Sequence, residues 1–375
     1  MRELVEEKAF WLAWSQITGI GPVLLRRLQE HFGTLAAAWY ASSEALLQVE
    51  GFGSQTVGLI VKERSRLDPE QLLTTHVQEN PCFWTPADST QYPRLLLETA
   101  SPPPVLYYRG EVQLEENQGI KPLVGIVGTR HPSDYGRRWT RKISAALARN
   151  GFTIVSGLAE GIDTEAHQAC LEAGGRTIAV LGTGVDVVYP PRNRDLYKQI
   201  LTGGLVLSEF AAKTSPDRSH FPRRNRIIAG ISRAVLVMEA PTKSGALITA
   251  RFANEFNRDV YVLPGSLDNS LSLGCLGLLS KGASIILSEG HLLEMLGAIP
   301  QLDPVETPQS FEQLSLPNLS PELQQVLNAI AFESMPFDLI VQQTGYSTGI
   351  VSSALLQLEL MGLVSQLPGM RYQRC

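Results

Sequence analysis

The chain has 375 residues, of which 44% are hydrophobic and 18% charged, with a net charge of −5. That composition is globular, not disordered, and the length suggests two or three domains with cores of their own. A uniformly basic nucleic-acid coat is excluded. The N-terminus lacks the basic-then-apolar pattern of a secretory signal, and no apolar run approaches the ~18 residues of a membrane span. An intracellular, cytoplasmic protein is expected. Cys82, Cys170, Cys275 and Cys375 are dispersed and form no CxxC pair, so neither a zinc site nor a disulfide framework is expected. Charge is uneven along the chain. Residues 121–260 hold 20 Lys+Arg against 12 Asp+Glu, a net of +8, which leaves −13 for the remainder. An anionic partner is expected at that central segment.

Residues 1–75 read as a helical domain, with apolar positions at three- and four-residue spacing through Leu4–Leu12 and Val23–Phe32. Two turns, Ile17-Thr18-Gly19-Ile20-Gly21 and Val49-Glu50-Gly51-Phe52-Gly53, each join two helical stretches. They resemble a tandem helix-hairpin-helix module, a motif that presents backbone N–H groups to phosphate. The acidic neighbours Glu30 and Glu50 favour plain interhelical turns here. Residues 80–115 are rich in proline and read as an extended connector.

The next domain, assigned to 76–298, alternates strand and helix. Apolar strands are expected at Leu123–Val127, Thr153–Val155, Thr177–Leu181, Leu205–Leu207, Ala234–Met238, Val260–Leu263 and Ser284–Leu287. Strands apolar throughout, with helices between, imply a mainly parallel sheet covered on both faces. The fold class is α/β, a Rossmann-like three-layer domain. A linker is expected at 299–318. Residues 319–375 then follow the order of a winged helix: a capped helix opened by Ser320-Pro321-Glu322, a helix–turn–helix, and a two-stranded wing. The end domain carries Arg371 and Arg374 against Glu322, Glu333, Asp338 and Glu359, and Ser347–Leu360 has neither Lys nor Arg. A DNA-reading helix without a cation is poorly equipped for phosphate, so a protein-binding or structural role is expected.

Four small-residue loops follow strands of the central domain. The first is Gly128-Thr129-Arg130, and the second is Ser156-Gly157-Leu158-Ala159-Glu160-Gly161-Ile162-Asp163. The third candidate segment is Phe221-Pro222-Arg223-Arg224-Asn225-Arg226, with Arg218 and His220 upstream. The fourth is Lys243-Ser244-Gly245-Ala246. Small residues let an anion reach helix N-termini at the carboxyl ends of parallel strands. Aromatics beside guanidiniums suit single-stranded nucleic acid. Neither G-x-G-x-x-G nor a Walker-type motif is present, so no cofactor is expected. Asp163 and His167 read as an N-cap and a helix-surface hydrogen bond, not as an acid–base pair. Ser156 and Ser244 lack the pattern of a nucleophile.

These blocks, with Tyr92-Pro93, Pro102-Pro103, Leu106-Tyr107, Ala179–Gly184, Tyr189-Pro190, Ser208-Glu209, Ser244–Ala250, Pro264-Gly265 and Gly282-Ala283, resemble the DNA-processing protein A (DprA/Smf) family across essentially the whole chain. The resemblance implies a non-catalytic protein that binds and protects single-stranded DNA during natural transformation and helps to load the RecA recombinase. It implies a homodimer and a basic DNA pocket. By the matching motifs the pocket would comprise Gly128, Thr129, Arg130, Ser156, Gly157, Phe221, Arg223, Arg224, Asn225, Arg226 and Lys243. The sequence departs from the family at Gly274–Ala283, where Leu276 stands in place of a frequent Asn. In the family this stretch contributes to the dimer contact. Leu276, Leu279 and Ile285 are either an apolar self-complementary patch or ordinary core. The alternative class is a nucleotide-processing enzyme of the phosphoribohydrolase type. That group uses P-G-G-x-G-T-x-x-E, and the comparable segment here, Pro241–Thr249, ends without the Glu.

Overall fold

The computed structural model describes residues 2–297, 320–330, 335–360, 363–367 and 370–374. The chain falls into two compact units, Met1–Val305 and Glu306–Cys375.

The first unit opens with six helices: α1 (Arg2–Gln16), α2 (Pro22–Phe32), α3 (Leu35–Tyr40), α4 (Ser43–Leu47), α5 (Ser54–Arg64) and α6 (Pro69–Glu79). The two glycine turns share one geometry. Gly19 and Gly51 take φ of 87° and 89°, a left-handed conformation suited to glycine. Gly21 and Gly53 then cap α2 and α5 in extended conformation. Ile20 and Phe52, between each glycine pair, are buried in a core with Trp14 and Trp39.

The rest of the unit runs β1 (Phe83–Trp84), α7 (Arg94–Leu97), β2 (Leu106–Gly110), α8 (Leu114–Asn117), β3 (Leu123–Val127), α9 (Asp134–Arg149), β4 (Thr153–Ser156), α10 (Ile162–Glu172), β5 (Thr177–Val180), α11 (Arg194–Gly203), β6 (Leu205–Ser208), α12 (His220–Ile231), β7 (Ala234–Val237), α13 (Gly245–Glu255), β8 (Asp259–Val262), α14 (Leu273–Leu279), β9 (Ser284–Ile285) and α15 (Glu289–Gly297). One sheet holds nine strands in the order β1-β2-β6-β5-β4-β3-β7-β8-β9. Strands β3 to β9 are mutually parallel, at the seven places expected from the apolar runs. The proline-rich stretch differs from a plain connector. It supplies β1 and β2, and β2 pairs antiparallel with β6, Tyr107 opposite Ser208. The edge strand β1 needs only one of its two sides for the ladder, and the prolines at 81, 86, 93 and 102–104 fall outside both strands.

Side chains alternate across the strands. Leu123, Val127 and Val155 pack under α12 and α13, whereas Val124, Ile126 and Ile154 pack against α9, α10 and α15. The result is a three-layer α/β sandwich. The helical segment joins the sheet through Leu12, Phe83, Val105 and Tyr107, with Leu72 and Leu73 of α6. The Tyr107 hydroxyl lies 3.0 Å from His76 Nε2, and Lys8 Nζ donates to Phe83 O at 3.1 Å.

Chain order along the sheet reverses at β3. The chain steps outward to β4, β5 and β6, then returns to β7 on the other side of β3. Such a switch point opens a crevice at the carboxyl ends of the strands.

The second unit contains α16 (Pro321–Ala329), β10 (Met335–Pro336), α17 (Phe337–Thr344), α18 (Thr348–Leu360), β11 (Val364–Leu367) and β12 (Arg371–Arg374), with sheet order β10-β12-β11. Ser320 Oγ accepts from Leu323 N to cap α16, and Gly345, with φ of 69°, ends α17. This is a winged helix with one short strand more than the sequence suggests. The expected linker at 299–318 and the wing residues Pro368-Gly369 lie outside the described residues. Among the described residues no helix is long and apolar enough to cross a membrane.

Candidate nucleic-acid interface

A cavity of about 620 Å³ occupies the switch-point crevice. Its walls come from the segments after four strands. The loop after β3 contributes Gly128, Thr129 and Arg130, and the loop after β4 contributes Ala159 together with Asp163 of α10. The segment between β6 and the first turn of α12 contributes Arg218, Phe221, Arg224 and Asn225, and the loop after β7 contributes Lys243, Ser244 and Gly245. A recess of about 70 Å³ adjoins it, lined by Arg130, Gly157, Tyr189, Phe221 and Arg224 among others.

The loops are fixed from below. Glu239, buried after β7, accepts from Ser133 N at 2.8 Å and Ser133 Oγ at 2.6 Å, and its carbonyl accepts from Thr129 N at 2.7 Å. A Cβ on Gly128 would lie 2.9 Å from that carbonyl and would strike Ile162, so the close approach demands glycine. Ser133 also caps α9, accepting from Gly136 N. Asp163 Oδ2 accepts from Gly157 N at 3.0 Å and Ala159 N at 3.4 Å, curling the loop after β4 over itself.

The rim is cationic and the wall aromatic. Among the described residues Arg130, Arg218 and Lys243 take part in no ion pair. Arg130 lies over the Phe221 ring, 5.6 Å from its centroid, and Tyr189 tilts against Phe221 at 5.5 Å. An open cavity with unneutralised cations at its mouth and an aromatic face can hold a phosphate ester and a flat base together.

Each expected site residue now has a place. Gly128, Thr129, Arg130, Phe221, Arg224, Asn225 and Lys243 line the cavity, and Gly157 lines the recess. Ser156 is fully buried, its hydroxyl donating to Ile126 O at 2.6 Å. The three arginines of α12 separate. Arg223 is 54% exposed, pairs with Glu209 at 3.1 Å and lies over Phe210. Arg224 is 5% exposed and donates into the sheet end. Arg226 is buried on another side of the helix, bound to Glu209 at 2.6 Å and Ser101 O at 2.5 Å. One sequence stretch therefore feeds three environments.

The Asp163–His167 expectation needs correction. Gly161, not Asp163, is the N-cap of α10, and both side chains are buried. Burial raises the Asp163 pKa, opposed by the Arg224 charge and the loop amides. Burial lowers His167 to about 3, with Arg224 adding to the effect. Neutral His167 sits 2.7 Å from Thr177 Oγ1.

Known proteins resemble this chain in sequence and in fold. The DNA recombination-mediator protein A model matches residues 83–297, and the DprA winged helix domain model matches 312–370. The chain belongs to the DNA recombination-mediator protein A family. Protein Smf of Synechocystis is 54% identical over 98% of this chain and 99% of its own length. DNA processing protein DprA of Streptococcus pneumoniae is 44% identical over 59% of this chain and 76% of its own. The crystal structure of the pneumococcal protein superposes with a TM-score of 0.65 at 36% identity, covering 76% of this chain and 95% of that one. A Helicobacter pylori DNA processing protein A structure, described for its single-stranded DNA binding mode, superposes with a TM-score of 0.50 at 32% identity over 54% of this chain and 92% of that one.

Within this family frame Leu276 and Leu279 lie on α14, and Ile285 lies on the edge strand β9. Leu279 is half-buried against the main core, Leu276 is half-buried, and Ile285 on β9 is 36% exposed. Ile286, not Ile285, is the core residue there. Sequence reasoning left Tyr189, Arg218 and Thr249 out of the site. Arg218 had a signal in the arginine cluster, and Tyr189 in the Tyr189-Pro190 block. Thr249, a buried cavity residue whose hydroxyl has no hydrogen-bond partner among the described residues, had its signal in the Ser244–Ala250 block.

Proposed function

We propose that the chain binds single-stranded DNA in the switch-point cavity and acts as a non-catalytic recombination mediator. The observation that carries this reading is the free cationic rim of Arg130, Arg218 and Lys243 around the Phe221–Tyr189 aromatic wall. A phosphate bridges the rim cations and the α13 N-terminus, and a base stacks on Phe221. Duplex DNA keeps its base faces covered, so the arrangement favours single strands. The Helicobacter pylori relative, described by its single-stranded DNA binding mode, supports the same reading.

Helping RecA recombinase onto the bound strand is the family role we assign to the chain, in the cytoplasm and as a homodimer. The edge strand β9 supports the dimer, because its free side and the apolar Leu276, Leu279 and Ile285 suit a two-fold contact. A phosphoribohydrolase reading is not favoured. Thr249 stands where that group's Glu would be, and a hydroxyl cannot supply a carboxylate.

Fluorescence anisotropy with a labelled oligonucleotide and its duplex, over a salt series, tests the binding. The expected result is preference for the single strand and affinity that falls steeply with salt. Full affinity in an Arg130→Ala, Arg218→Ala, Lys243→Ala triple variant would refute the site. For the partners, the lag of RecA filament formation on a strand carrying this protein should shorten, and Ile285→Glu should shift the sedimenting species from dimer to monomer.

A further inference from the structure

Four arginines lie within nine residues, at 218, 223, 224 and 226, and all invite the same assignment. Their surroundings do not support one role. We propose that Arg224 is a positioning residue: an internal strut that sets the spacing of the cavity loops and makes no phosphate contact. The proposal rests on the single-strand reading of the cavity and adds a division of labour among its cations.

The geometry is a chain of hydrogen bonds. Arg224 Nη1 donates to Gly157 O at 2.6 Å and to Val180 O, bridging the loop after β4 to the end of β5. Its Nε donates to Asn225 Oδ1 at 3.2 Å. Asn225 Nδ2 in turn donates to Gly245 O at 3.1 Å, at the head of α13. One guanidinium thus ties the segment after β4 to the end of β5 and, through Asn225, to the segment after β7. Gly157 is gripped twice, its carbonyl by Arg224 and its N–H by Asp163.

Steric fit makes the grip specific. A Cβ at residue 157 would lie 2.5 Å from Arg224 Nη2, so guanidinium and glycine backbone are in direct contact. Buried Asp163 balances the buried cation, and a charge so placed has neither the freedom nor the exposure of a phosphate ligand. Arg130 and Lys243, by contrast, have no ion-pair partner among the described residues and stand at the mouth. A planar fork with several fixed donors suits the strut role, and Lys, a point donor, cannot replace it.

Two measurements on the full chain test this. The first is single-strand affinity across a salt series for Arg224→Met, with Arg224→Met/Asp163→Asn as the charge-balanced form if the single variant does not fold. A phosphate ligand, when removed, lowers the slope of log K against log salt by about 0.7. The strut predicts affinity down about tenfold or more at unchanged slope, as loss of a charge-assisted hydrogen bond would give. Arg224→Lys should fail to restore it. The second is hydrogen exchange without DNA: the amides of Gly157 and Ala159 should lose protection in Arg224→Met. A slope reduced by about 0.7, unchanged affinity, or unchanged exchange would each overturn the proposal. If the wild-type chain binds no single strand, the binding reading fails, and the exchange result still decides whether Arg224 holds the loop.

Discussion

Arg224 fills the space that a side chain at residue 157 would need, its guanidinium 2.5–2.7 Å from the position of a Cβ there. Gly157→Ala should therefore destabilise the protein by about 1–3 kcal/mol, the usual cost of overpacking. The same substitution in an Arg224→Met background meets a more flexible neighbour and should cost less. Urea denaturation of the four proteins gives the coupling, expected to exceed about 0.5 kcal/mol. Additive effects would mean the contact is not felt.

Arg226 and Arg223 share Glu209 but not its burial. Removing Arg226 leaves a buried carboxylate with only its exposed partner, so Arg226→Ala should cost about 3 kcal/mol. Arg223→Ala, at a half-exposed pair, should cost no more than about 1 kcal/mol. Chemical denaturation midpoints at constant slope separate the two. Equal losses would contradict the placement.

His167 gives stability a pH dependence of known sign. Its native pKa is held at about 3 by burial, whereas an unfolded histidine titrates near 6.5. The unfolded chain therefore takes up a proton that the native chain refuses. The stability due to neutral His167 is complete above about pH 6.5 and is lost as pH falls toward 3, by at most ~1.4 kcal/mol per unit. Asp163 acts oppositely, since its raised pKa gives stability present at low pH and lost as pH rises through the folded value. Subtracting a His167→Gln variant isolates the histidine. The urea midpoint of the wild type should fall faster between pH 6.5 and 5 than that of the variant.

Phe221 is the proposed base platform, so Phe221→Leu should weaken single-strand binding by about 1–3 kcal/mol, the value of one stacked base. Its melting temperature should change little, because the ring faces the cavity. Anisotropy with wild-type affinity for the leucine variant would place the base elsewhere.

Much of the fold was legible. Seven parallel strands are continuous apolar runs, Leu123–Val127 among them, because a sheet covered on both faces needs no polar alternation. The winged helix was legible from Ser320-Pro321 and Gly345, which mark a start and a stop. Strands β1 and β2 were not, since β1 has only two residues, β2 follows a proline run without alternation, and the pairing of β2 with β6 is set by tertiary contact. At the site, the loop glycines and Arg130 were legible from small residues after strands. The facing of Arg223, Arg224 and Arg226 was not. Adjacent helix positions turn by about a hundred degrees, so a run of like residues says little about which one reaches inward. The buried Asp163 and His167 were misplaced because α10 is capped at Gly161 and both side chains turn inward, to the loop amides and to Thr177.

The central claim is that the strand enters the cavity beside Phe221. Photo-crosslinking to a single strand carrying 5-bromodeoxyuridine, followed by peptide mapping, tests it most directly. The account predicts crosslinks on the peptides that contain Phe221 and Tyr189, lost on competition with unlabelled single strand. Crosslinks confined to the N-terminal helices or the winged helix would contradict it.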